Sequence, residues 1–100
     1  MREIHVQTDE PAKFYEQVKE SLKGSTLFDI VSFQMKPNEV VISFDKIGTS
    51  KIYYTLEKVE TGYKAIRKKE SIAFTHGIFK PDIERKLKLV MLKLGAKIVE

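Results

Sequence analysis

Few side chains in this sequence have the type and spacing that catalysis or metal binding requires. The two histidines, His5 and His76, are far apart, and neither belongs to a pattern that places two metal ligands on one helix face. No serine lies in a nucleophile-elbow motif, and the five glycines form no phosphate-binding or dinucleotide-binding loop. Cysteine is absent, which excludes disulfides and thiolate catalysis. We therefore expect no enzymatic activity, no cofactor and no bound metal, with His5 on a strand surface and His76 in a loop.

Three cations stand side by side at Arg67, Lys68 and Lys69, in a chain with a net charge of +4. Basic side chains interleaved with aromatic rings on a sheet face could follow a nucleic-acid backbone. However, Glu70 follows immediately, and in a regular strand Lys68 faces away from the other two cations. The pattern therefore favours charges that keep an exposed strand edge from pairing with another chain, and nucleic-acid binding is the alternative. The surrounding segment is predicted as one long strand that ends at Gly77 and whose inner face carries Ile66, Ile72 and Phe74.

Hydrophobic periodicity organises residues 1–100 as a single domain. The opening alternates as a short strand, and a helix is predicted between the capping residues Thr8 and Asp9 and the stop residue Gly24. The apolar stripe of this helix is predicted to contain Pro11, Phe14, Tyr15, Val18 and Leu22. From Leu27 the period changes from about 3.6 to about 2, and turn residues recur about every 12 positions, as in an antiparallel meander. The inner faces of its first three strands carry Val31, Phe33, Met35, Val40, Ile42, Phe44, Ile52, Tyr54 and Leu56.

The segment KPDIERKLKLVMLKLG has the composition of a final helix, with Pro81 near its start and Gly95 at its end. Its main apolar stripe is predicted to contain Ile83, Leu87, Val90, Met91 and Leu94. Two further leucines, Leu89 and Leu92, project to the opposite side, near Arg85. We expect these three residues to form a homodimer interface. The competing explanation is internal, with the helix wedged deeply or the tail AKIVE folded over it.

The order strand, helix, four antiparallel strands, helix predicts an α+β domain in which two helices pack on one face of a curled sheet. This layout resembles the helix-grip superfamily, which includes START and Bet v 1-like domains. The segment IHVQTDEPAKFYEQV resembles its first strand and helix, and KPDIERKLKLVMLKL resembles its C-terminal gripping helix. The resemblance implies a ligand space between the sheet and the last helix. The shorter plan also resembles one repeat of the TATA-binding protein fold, which implies nucleic acid on the uncovered sheet face.

These observations predict a non-enzymatic binding domain that holds a small apolar ligand, or a protein partner, between the sheet and the C-terminal helix. No apolar run reaches the length of a signal peptide or a membrane span, so we expect a cytoplasmic location and no membrane partner. The high charged fraction of 32% and the absence of cysteine resemble the composition of thermophile proteins. The expected ligand-lining residues are Phe33, Phe44, Tyr54, Leu56, Leu87 and Met91.

Overall fold

The computed structural model describes residues 1–46, 48–73 and 80–100. Within them, six strands form one antiparallel sheet, and helices pack against one of its faces. This arrangement confirms the predicted α+β class and its layering. The elements are β1 (Glu3–Val6), α1 (Pro11–Ser21), α2 (Leu27–Ile30), β2 (Val31–Lys36), β3 (Glu39–Asp45), β4 (Thr49–Val59), β5 (Gly62–Ser71), α3 (Lys80–Lys93) and β6 (Lys97–Val99).

The sheet has the strand order β2-β3-β4-β5-β1-β6, so its outermost strands are β2 and β6. The meander of β2 to β5 forms from consecutive hairpins, and β1 then pairs with the far side of β5. The main core lies between this sheet and the helices, because alternate strand residues and one stripe of each long helix are apolar. Its fully buried members include Ile4, Val18, Val40, Ile42, Phe44, Ile52, Tyr54, Leu87 and Met91.

Two short elements were not predicted from the sequence. The helix α2 occupies positions that were expected to begin a strand, and it packs Leu27 into the core. Its start is held by the Ser25 hydroxyl, which accepts a hydrogen bond from the Leu27 N–H at 3.2 Å. The strand β6 pairs with β1 through Ile4 and Ile98. The tail therefore extends the sheet and does not fold over α3.

A β-bulge in β5 changes which side chains face the core. Tyr54 is opposite Arg67 and Tyr53 is opposite Lys69, so Lys68 is an extra residue in the ladder. Before the bulge Ala65 faces the core, whereas after it Ile72 packs against the core. The prediction that Ile66 and Ile72 share one face is therefore wrong, because the extra residue reverses the alternation. The predicted positions Phe74 and Gly77 lie outside the described residues.

The main stripe of α3 is confirmed for four of its five predicted residues. Leu87 and Met91 are buried, and Ile83 and Val90 pack against the core at its margin. Leu94 is different, since it is 36% exposed. The helix ends at Lys93, and the following turn carries the buried Ala96 to the core in place of Leu94.

Gly62 lies where the β4–β5 turn packs closely on β1 and the residues after it. Its φ is +146°, and a Cβ atom there would lie 2.0 Å from the Val6 carbonyl oxygen and 2.8 Å from the Gln7 Cα. Gly24 also has a positive φ, +85°, but a Cβ atom there would meet nothing within 4 Å. We expect Gly24→Ala to cost about 1 to 2 kcal/mol of unfolding free energy from backbone strain alone.

Gly62→Ala should cost at least twice as much as Gly24→Ala in urea-induced unfolding, because backbone atoms of β1 must also move. Equal losses for the two variants would contradict the close packing of this turn on β1.

Candidate functional site

A groove of about 560 Å³ lies between α1 and the edge strand β2. Its helix side is a single stripe, because the residues follow the three- and four-residue spacing of one helix face. Its strand side includes Phe33 and Met35, which are only partly buried. The lining consists of Ala12, Tyr15, Glu16, Lys19, Glu20, Ser32, Phe33 and Met35.

The groove runs along the open edge of the sheet. Its strand side includes the consecutive residues Ser32 and Phe33 of β2. Because β2 is the outermost strand, a groove between it and α1 lies at the margin of the sheet. A second depression, of about 470 Å³, shares Ala12 and Met35 with the groove and continues toward Leu56 and Tyr63.

Tyr15, one of the lining residues of the groove, carries a buried hydroxyl that is unsatisfied. The side chain is 1% exposed, and its hydroxyl has no hydrogen-bond partner. Its ring packs edge to face on Phe14, with centroids 5.2 Å apart, and lies 5.5 Å from the ring of Phe33. Burial raises the pKa of Tyr15, and the nearby Tyr54 raises it further, so the hydroxyl stays protonated. A buried hydroxyl without a partner costs about 1 to 3 kcal/mol.

The charges around the groove leave an acidic rim. Lys19 is already engaged, because its ammonium donates hydrogen bonds to the carbonyl oxygens of Phe28 and Val31. Glu20 pairs with Lys23 at 2.7 Å. Glu16 is exposed and has no ion-pair partner among the described residues. The groove therefore offers a carboxylate to a bound group while its own lysine is used by the backbone.

The residues predicted to hold a ligand are divided by the structure. Phe33 lines the groove and Leu56 lines the adjoining depression. The remaining four are fully buried in the packed core. The Tyr54 hydroxyl is satisfied by the Met1 carbonyl at 2.8 Å. These four are Phe44, Tyr54, Leu87 and Met91.

Sequence reasoning missed Tyr15, Glu16 and Met35 as groove residues. The helical period had already assigned Tyr15 to the apolar stripe of α1, and the strand period had assigned Met35 to the inner face of β2. Neither pattern says that β2 is the outermost strand, and the groove exists because of that position.

The bulge also rearranges the basic segment. Lys68 lies 3.6 Å from Glu39, and Lys69 lies 4.8 Å from the centre of the Tyr53 ring, so both lysines are on the uncovered face. The prediction that Lys68 faces away from Lys69 is wrong, because the two residues of a bulge share one side. Arg67 lies opposite the buried Tyr54, 3.8 Å from Glu70.

The free part of β5 has the features of a protected edge. The ladder with β1 ends at Ile66, the Arg67 N–H still donates to the Arg2 carbonyl at 2.8 Å, and from Lys68 to Ser71 the strand pairs only with β4 among the described residues. A bulge and lysines are two devices that keep an edge from pairing with other chains. Their presence at Lys68 and Lys69 supports the edge-protection interpretation of the basic segment.

The proposed dimer residues are at the surface of α3. Leu89 is 55% exposed and Leu92 is 42% exposed, so neither leucine is covered from within the described chain. Arg85 is exposed and contacts Asp82 at 3.1 Å. Because the tail forms β6, the internal explanation for these leucines does not hold.

No group of three or more histidine, aspartate or glutamate side chains within the described residues could hold a metal ion. The His5 ring lies 2.9 Å from the Glu3 carboxylate on β1, and this hydrogen bond contributes most to lowering the pKa of Glu3. His76 lies outside the described residues. Among the helices that the structure describes, none has the length and apolarity needed to cross a membrane.

Comparison of the chain with protein-family models, curated proteins and solved structures finds no match. The helix-grip and TATA-binding-protein resemblances therefore stay predictions of layout, and the geometry of the groove and sheet carries the functional argument.

Two buried tyrosines make a matched test of the unsatisfied hydroxyl. Tyr54→Phe removes the hydrogen bond to the Met1 carbonyl and should lower the free energy of unfolding by about 1 kcal/mol. Tyr15→Phe removes a hydroxyl without a partner, so the free protein should be as stable as the wild type or more stable. Urea unfolding of both variants measures the difference. A loss of stability in Tyr15→Phe as large as that in Tyr54→Phe would contradict an unpaired Tyr15 hydroxyl.

Proposed function

We propose that this domain is a non-enzymatic binding module whose site is the groove between α1 and β2. The observation that carries the proposal is an open groove that combines partly exposed Phe33 and Met35 with the buried, unpaired hydroxyl of Tyr15. Its volume of about 560 Å³ lies in the range that binding sites occupy. An apolar group placed there gains burial against the two partly exposed side chains. A hydrogen-bonding atom on the same group could satisfy Tyr15 once its ring turns toward the groove, since the hydroxyl oxygen is buried in the unliganded domain.

The groove is a better candidate than the space between the sheet and α3. A ligand in that space has to displace Phe44, Tyr54, Leu87 or Met91, all of which are fully buried. Closely packed cores tolerate added volume poorly, at about 1 to 3 kcal/mol for modest overpacking. The groove needs no displacement of core side chains, because Ala12 in its lining is exposed and Phe33 and Met35 are partly exposed. The binding function predicted from the sequence is therefore kept, and its location is moved to the other helix.

Nucleic-acid binding through the uncovered sheet face is the weaker alternative. Phosphate contacts gain affinity from free cations, because each neutralised phosphate releases counterions. Arg67 and Lys68 each lie within 4 Å of a carboxylate, and Lys69 lies over the Tyr53 ring. A nucleic acid would have to compete with these contacts for both the charges and the stacking surface.

A cytoplasmic location is part of the proposal, supported by the lack of cysteine.

Filling the groove tests the proposal with Nile red, a neutral apolar dye whose carbonyl can accept a hydrogen bond. The wild type should enhance dye fluorescence with saturation near one dye per chain. Ala12→Trp should weaken binding at least tenfold, since Ala12 lines the groove and is exposed enough to take a larger side chain. Gln17→Trp is the matched control, because Gln17 is exposed on the same helix and does not line the groove.

The hydroxyl of Tyr15 gives a second readout in the same assay. Tyr15→Phe should weaken dye binding by about fivefold, which corresponds to one ordinary hydrogen bond. Absence of dye binding at tens of micromolar, or equal binding by Ala12→Trp and Gln17→Trp, would reject the groove as the site.

We also propose that the chain self-associates through α3. Leu89 and Leu92 form an exposed apolar patch with Arg85 beside it. Burying each leucine in an interface is worth about 1.5 to 3 kcal/mol. A two-fold arrangement would pair the patch with its own copy, with Arg85 at the rim.

Light scattering on the wild type and on Leu89→Glu/Leu92→Glu tests this association. The wild type should be a dimer and the double variant a folded monomer, because both leucines are exposed and their replacement does not disturb the core. Lys58→Glu, which adds acidic charge at an exposed position of β4, should remain dimeric. A wild-type monomer at 100 μM would reject the interface.

A further inference from the structure

The backbone of β2 has hydrogen-bonding groups directed away from the sheet. Lys36 and Glu39 flank a two-residue turn and are opposite each other in the β2–β3 ladder. Residues that flank such a turn form a hydrogen-bonded pair, and bonded pairs alternate with non-bonded pairs along an antiparallel ladder. Ser32, Gln34 and Lys36 therefore bond to β3. Val31, Phe33 and Met35 direct their N–H and C=O groups toward the open edge.

The contacts of Val31 agree with this alternation. Its N–H donates to the Leu27 carbonyl, and its carbonyl oxygen accepts a hydrogen bond from the Lys19 ammonium. Both of its edge groups are therefore occupied by the chain itself. The corresponding N–H and C=O groups of Phe33 and Met35 are left at the edge, next to the groove that their side chains line.

The edge at β2 lacks the protection found at the other free edges of the described sheet. The strand β6 has only three residues, and the free part of β5 carries a bulge and charged side chains. Along β2 the register with β3 is continuous, and residues 32–35 have the sequence SFQM, with no charge and no proline. An exposed edge of this kind binds a further strand readily.

The groove has the form that an added strand needs. In a bound extended chain, alternate side chains point to the same face at intervals of about 7 Å. A strand beside β2 would place one such side chain against Tyr15 and Phe33, and the next toward Met35 and the adjoining depression. The unpaired Glu16 would face this strand from α1 and favour a basic residue in it, a preference that gives orientation more than affinity.

Resting on the proposed function, we infer that the occupant of the groove is an extended segment of a partner protein. This segment adds a strand to β2 through the backbone groups of Phe33 and Met35. One of its apolar side chains enters the groove, and a basic side chain pairs with Glu16. This mode of recognition takes affinity from main-chain hydrogen bonds and specificity from pockets for alternate side chains.

The test uses a capped peptide of alternating threonine and valine with an arginine at each end, titrated into the isotopically labelled protein and followed by NMR. The amide signals of Phe33 and Met35 should shift and gain protection from solvent exchange, and those of Ser32 and Gln34 should change less. A series of peptides, each N-methylated at one amide, then reports the backbone contacts. Methylation at every second amide should weaken binding at least tenfold, and methylation at the amides between them less than twofold.

The contact with Glu16 is tested by charge reversal. Glu16→Lys should weaken binding of the arginine peptide about threefold and strengthen binding of a peptide with glutamate at both ends by a similar factor. Glu60→Lys is the control, because Glu60 is exposed and lines neither the groove nor the adjoining depression.

The remaining outcomes separate this inference from the proposed function. If Nile red binds and is blocked by Ala12→Trp but no peptide binds, the strand-addition inference fails and the groove remains a small-molecule site. If neither binds, both fail. Uniform sensitivity to N-methylation would overturn the pairing with β2. If no peptide binds and Phe33→Glu dissociates a dimer of this chain, the β2 edge pairs with a second copy of the chain. That outcome would also overturn the inference.

Discussion

The width of the sheet relative to the helices that cover it is the constraint on which the rest of this structure depends. Six antiparallel strands place the outermost strands about 24 Å apart, whereas two helices side by side cover about 20 Å. The helix α3 contributes Leu87 and Met91 to the core and contacts α1 and β6, whereas α1 contacts the opposite edge strand, β2. The two long helices therefore do not cover the full width of the sheet, and the groove lies at the β2 edge that they leave open.

The core and the groove differ in whether their buried tyrosine hydroxyls have hydrogen-bond partners. In the core, Tyr54 is buried together with a hydrogen-bond acceptor, the Met1 carbonyl. At the groove, Tyr15 is buried to a similar degree, and its hydroxyl has no partner. Burial of a polar group without a partner is unfavourable, so an unliganded domain bears a cost at this position. A group that reached this hydroxyl would remove the cost.

The edges of the sheet show a second contrast. Lys68 and Lys69 stand together on the uncovered face because of a bulge, and this bulge lies where β5 extends past β1. The β2 edge has no bulge and no charge over residues 32–35, although it is exposed beside an apolar groove. One edge thus has the features that prevent pairing, while the other has those that permit it. This difference is the basis for assigning recognition to β2.

The sequence by itself determined the class of fold, the two long helices and the meander of strands, because these depend on local periodicity and on turn and capping residues. It could not give the order of the strands, since pairing joins residues far apart in the chain, as β1 with β5 and β6. The bulge at Lys68 was equally hidden, because an extra residue in a ladder is defined only by the partner strand. The candidate site was predictable in part: Phe33 was named, but Tyr15 and Met35 were assigned to ordinary core. Only the tertiary structure decided that β2 is an edge and that Phe44, Tyr54, Leu87 and Met91 are buried in the core. The groove therefore follows from where the helices end across the sheet, which no local pattern of residues encodes.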